Sequence, residues 1–128
     1  MRAALAVAAV LLAAQGSGAS ACGYCVEDRV AAAYDHSVIV RSLERRHEVA
    51  FFAIEGQIAA NPRLGREIQN ALESTGGVDR GSSRVSLTAG SLSFAYDPAR
   101  QKLGPIMRAI ERTLAPKGLS VSLLRVVN

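Results

Sequence analysis

The chain has 128 residues, 15 basic and 11 acidic side chains, a formal net charge of +4, two cysteines and no tryptophan. That length supports one hydrophobic core, and two cysteines are too few for a disulfide scaffold. The arginines are scattered among glutamates, with no basic run interleaved with aromatics and no zinc-finger spacing, which argues against nucleic-acid binding.

The N-terminus reads as an export signal. Arg2 is a short basic region, Ala3 to Ala14 are apolar throughout, and Gln15 to Ser20 are small or polar. Ala19 and Ala21 then occupy the −3 and −1 positions of an A-x-A cleavage site. The apolar run is too short to span a bilayer as a helix. Removing residues 1–21 from the 128 leaves 107, and the loss of Arg2 lowers the net charge to +3. The expected product is periplasmic or secreted and begins Cys22-Gly23-Tyr24-Cys25.

From Val26 to about Leu43, Val26, Val30, Tyr34 and Val38 recur every four residues, and Glu27 and Asp28 sit where acids favour a helix dipole. One helix is expected, with a bend allowed near Asp35-His36-Ser37. Glu44 to Glu48 is a charged patch expected to be an exposed connection. Val49 to Ile54 is continuously apolar and reads as a strand covered on both faces.

Asn61-Pro62 supplies an N-cap and a first-turn proline. Leu64, Ile68, Ala71 and Leu72 form one apolar stripe, and Gly76-Gly77 ends the helix. Arg84 to Thr88 and Ser91 to Asp97 then form a hairpin joined at Ala89-Gly90, with Val85, Leu87, Leu92, Phe94 and Tyr96 on one buried face. A second helix starts at Gly104-Pro105 with Ile106, Ala109, Ile110 and Leu114 facing inward, because Pro105 would break a helix begun at Pro98. Pro116-Lys117-Gly118 ends it, and Leu119 to Val127 is the last strand. The expected class is α+β: a ferredoxin-like βαββαβ sandwich over 48–128, with a four-stranded antiparallel sheet and two helices on one face. Segment 22–47 precedes it with the Cys pair and an additional helix.

The stretch Ser83 to Pro98 (SRVSLTAGSLSFAYDP), followed by Gly104-Pro105-Ile106-Met107-Arg108-Ala109-Ile110, resembles a heavy-metal-associated domain. Such domains occur in copper chaperones, metal-transporting ATPases and periplasmic mercury-binding proteins. The resemblance covers about residues 48–128 and implies the same fold and a soft-metal cargo. It departs at the family's metal site. The family holds its ion with two cysteines in the loop after the first strand, whereas Glu55-Gly56-Gln57-Ile58-Ala59-Ala60 has no Cys, His or Met.

The metal ligands are therefore expected to be Cys22 and Cys25. Two thiolates at i, i+3 in a Gly-containing turn can converge on Cu(I) first of all, or on Zn(II) or Hg(II). A free α-amine on Cys22 would chelate with its own thiol, and Cys25 opens a helix, which favours thiolate. His36 could complete such a site only if the helix bends back, since it lies about three helical turns from Cys25, and His47, in the charged connector, is weaker. The expected function is sequestration or hand-over of the metal without catalysis, with a metal-transport or redox protein as partner. Four alternatives stand beside it, the plainest being a locally closed Cys22–Cys25 disulfide with no further task. Cys-Gly-Tyr-Cys resembles the active-site motif of thioredoxin-like disulfide isomerases, the only enzymatic option, but no strand precedes it and no cis-proline loop is evident. Lipidation of Cys22 would place the protein at a membrane and remove one thiol. A non-metal interaction domain could bind a protein through an exposed sheet face or edge. No Ser–His pairing or phosphate loop is present.

Overall fold

The computed structural model describes residues 25–59 and 61–128; the segment 1–21, expected to be a leader, and Cys22 lie outside the described residues. In chain order the elements are α1 Val26–Ala32, α2 His36–Glu44, β1 Glu48–Gly56, α3 Pro62–Ser74, β2 Arg84–Ser86, β3 Ser91–Tyr96, α4 Leu103–Leu114 and β4 Leu119–Val127. A 3₁₀ turn over Ala115–Lys117 joins α4 to β4. From β1 onward this is β-α-β-β-α-β, with the antiparallel sheet ordered β2-β3-β1-β4. That order and connectivity define the ferredoxin-like fold.

One face of the sheet carries Ala50, Phe52, Ile54, Leu92, Phe94 and Tyr96, which pack against Ile68 and Leu72 of α3 and Ile106, Ile110 and Leu114 of α4. Phe52 and Phe94 stack with ring centroids 5.4 Å apart, and Phe94 meets Tyr96 edge-on. Asn61 caps α3 by accepting from the Leu64 amide at 3.0 Å, with Pro62 in the first turn. Helix α4 begins at Leu103, so Pro105 falls within the first turn, where its missing N–H costs nothing. At its far end, Gly118 takes the left-handed conformation (φ 72°) that turns the chain into β4.

The single N-terminal helix expected over Val26–Leu43 is two helices. Asp35 breaks it by capping α2, its Oδ1 accepting from the amides of Ser37 at 2.9 Å and Val38 at 3.3 Å. The side chain offers the backbone a better partner than a continued helix does. Both helices pack on the second face of the sheet, where Val30, Ala33, Val38 and Ile39 meet Val49, Phe51 and Ala95. The sheet is therefore covered on both sides, as the unbroken apolar run of β1 requires.

Two expectations change as a result. The hairpin does not have a single buried face, because all six residues of β3 are buried. Small side chains on the second face, Ser93 and Ala95 among them, let α1 approach, and Ser93 Oγ donates to the Ala33 carbonyl at 2.7 Å. Nor is that sheet face open for a protein partner, because α1 and α2 occupy it.

Strand β4 is an edge strand with a bulge. Phe51 pairs with Arg125 and Phe52 with Leu123, leaving Leu124 as the extra residue. Leu124 packs on the second core while Arg125 pairs with Glu27 of α1. The bulge thus turns two consecutive side chains toward the added helices.

Candidate metal-binding N-terminus

Cys25 stands immediately before α1, in extended backbone (φ −75°, ψ 172°), and its carbonyl accepts the Arg29 amide at 3.0 Å. The side chain is exposed and has no disulfide partner among the described residues. Its thiol donates to Asp28 Oδ2 at 3.2 Å. A soft cation binding here would displace that proton, and the Asp28 carboxylate would remain close to the positive charge. Cys22, the other half of the expected pair, lies outside the described residues. Among the described residues no group of three or more His, Cys, Asp or Glu side chains could hold a metal ion.

Neither histidine is placed to complete such a group. His36 is exposed, with Nδ1 3.1 Å from the Tyr34 hydroxyl. His47 is not in an exposed connector: it is half-buried between two carboxylates, with Nδ1 2.5 Å from Asp79 and Nε2 3.6 Å from Asp97. It fastens the start of β1 to the loops before β2 and after β3. Those acids are 32 and 50 positions away in the chain, a separation that no local pattern reveals.

The loop after β1 also behaves differently from a soft-metal loop. Arg29 of α1 reaches the end of β1, where Nη1 is 3.7 Å from Glu55 Oε1. Arg29 lines a depression there together with Gly56, Ile58, Thr88 and Gly90. With Arg29 paired to Glu55, the depression offers a cation no net negative charge. Gly56 is required there by close packing, since its φ is 119° and a Cβ would lie 2.5 Å from the Gly118 carbonyl oxygen. The first-turn acids of α1 divide their roles. Glu27 pairs with Arg125, whose hydrogen bond and charge hold its carboxyl below the usual range, and Asp28 accepts the Cys25 thiol.

The architecture defines a ferredoxin-like domain with a second helical layer and a cysteine at the outer end of that layer. No family model matches the chain, and no curated protein matches it. Solved structures similar to it include the copper binding domain from HMA7, a P-type ATPase, at 20% identity and TM-score 0.49, covering 62% of this chain and 96% of that one. Another is the N-terminal domain of a potential copper-translocating P-type ATPase from Bacillus subtilis in its Cu(I)-loaded state, at 20% identity and TM-score 0.49, covering 64% and 92%. Oxidized MerP from Ralstonia metallidurans CH34 is similar at 14% identity and TM-score 0.48, covering 62% and 99%. The chemistry of the site rests on this chain's own residues.

Proposed function

We propose that this chain is an exported protein that binds a soft metal ion through Cys22 and Cys25, for sequestration or hand-over to a metal-transport partner. The observation that carries this reading is the exposed Cys25 thiol at the leading end of α1, with the loop after β1 lacking Cys, His and Met. If soft donors hold the metal, they must come from the N-terminal pair. Cu(I) is the first choice of cargo, since two thiolates suit a soft monovalent ion, and Zn(II) or Hg(II) follow. The Ala19-Ser20-Ala21 site supports export and places Cys22 at the new N-terminus.

The test begins with the intact mass of the protein recovered from the exporting cell. A chain starting at Cys22 with no added lipid is expected; a diacylglyceryl adduct removes one thiol and overturns the reading. Titration of that reduced protein with Cu(I) against a competing chelator should give one equivalent bound, abolished in both Cys22→Ser and Cys25→Ser. Insulin-reduction turnover without metal retention would replace the metal reading with thiol–disulfide exchange.

A further inference from the structure

We propose that the cleft between α2 and the loop preceding β2 is a binding site for a single tetrahedral oxyanion of the phosphate or sulfate class. Arg41 of α2 and Arg45, the C-cap of that helix, line it on one side, and Arg80 lines it from the opposing loop, beside Asp79 and Ser82. Its volume is about 110 Å³, well below the roughly 300 Å³ at which pockets begin to take drug-sized ligands. The space suits one phosphate-sized group.

Three guanidiniums against one carboxylate leave the cleft net positive. Arg41, Arg45 and Arg80 form no ion pair among the described residues, which is equally true of Arg46, Arg66, Arg100, Arg108 and Arg112; what sets the three apart is that they line one cleft. Asp79, the one carboxylate in the wall, offsets one of the three charges and hydrogen-bonds to His47 at 2.5 Å. Arg41 and Arg45 are four residues apart on one helix face, an arrangement that costs a helix stability between like charges. Their place near the C-terminus of α2 recovers part of that cost through the helix dipole. The dipole gives no reason for Arg80 to line the same cleft from another element. An anion bound between the three guanidiniums does, because guanidinium forks match the oxygens of phosphate and sulfate.

The walls are also held in advance of binding. Arg41 Nε donates to the Ser37 carbonyl at 3.2 Å, which fixes the stem of the side chain and leaves its terminal nitrogens for a ligand. Across the cleft, the Gly81 and Ser83 amides donate to Glu73 at 2.9 and 3.3 Å. Arg84 Nη1 donates to the carbonyls of Gly81 and Ser83 at 3.1 and 2.7 Å, while its Nε reaches Asp35 at 2.9 Å. Ser82 Oγ donates to the Asp79 carbonyl at 2.7 Å. A loop pinned at so many points loses little freedom on binding.

The anion can be free in solution or the phosphodiester of an anionic lipid headgroup, and two measurements separate these sources. The first is an amide NMR titration of the protein with inorganic phosphate at constant ionic strength. The second is flotation with phosphatidylglycerol vesicles, against phosphatidylcholine vesicles as control. Saturating shifts at Arg80, Gly81 and Ser82, weakened at least about tenfold in both R45Q and R80Q but unchanged in R112Q, at an exposed position of α4, establish a free-anion site. A linear phosphate response, combined with phosphatidylglycerol binding lost in R45Q and R80Q and retained in R112Q, establishes the headgroup as the source. A linear phosphate response with vesicle binding absent, or reduced equally by all three substitutions, overturns the proposal.

Discussion

The two faces of the sheet are built on different terms. Against α3 and α4 the strands present large side chains, with Phe52, Leu92 and Phe94 fully buried. Against α1 and α2 they present Val49, Ala95 and the hydroxyl of Ser93, with Phe51 fully buried and Leu124 partly buried as the large residues. The second layer makes up for its thinner core with ties between distant residues: Ser93 to Ala33, Arg84 to Asp35, Arg125 to Glu27 and Arg29 to Glu55. Apolar burial scales with area, whereas polar ties depend on geometry and protonation. The first face should therefore govern whether the domain folds, and the second where Cys25 is held.

The largest effect is expected on the first face. Phe94→Ala removes a ring stacked on Phe52 and should cost about 3–5 kcal/mol, read as a lower urea midpoint with an unchanged slope. A loss similar to that of a surface substitution would show that this core is not the dominant one. On the second face, Ser93→Ala leaves the Ala33 carbonyl without its partner and should cost about 1 kcal/mol. Hydrogen exchange should place that loss in the α1 amides, with those of α4 unchanged; a uniform loss would mean that the two layers unfold as one.

The smallest effect is one of pH. The Ser37 hydroxyl, and then the Arg84 guanidinium, hold the Asp35 carboxyl well below the usual carboxylate range. A depressed folded value means that the stabilisation is complete above the ordinary value of about 3.9 and drains away as pH falls toward the folded value. Protection of the Ser37 and Val38 amides should thus fall below about pH 4, and Asp35→Asn should flatten that profile. An unchanged slope in the variant would move the dependence to another acid.

What the sequence shows of this molecule divides along the same line as its two faces. Strand β4 was legible residue for residue, and so was the start of α3, because Gly118, Asn61 and Pro62 act on their own neighbours. Phe51, Phe52, Phe94 and Tyr96 were legible as core from their spacing. The split between α1 and α2 showed only as a bend, since Asp35 reads equally well as a helix residue until its cap bonds are seen. Burial of the small side chains in β3 was hidden because Ser91 and Ser93 look like solvent-facing positions until a helix is laid over them. The clamp on His47 joins three loops that no periodicity connects. Of the candidate site, the Cys25 position at a helix start was legible; its bond to Asp28 and the Arg29–Glu55 pair at the loop after β1 were not.

The bulge at Leu124 has a consequence for how copies of this chain meet at high concentration. A long border strand invites a neighbouring chain to lengthen the sheet, and such growth is the usual first step toward fibres. Here a visiting strand that matches Leu119 to Leu123 is one residue out of step from Arg125 onward. The kink that serves the inner helices thereby also guards the rim against self-templating.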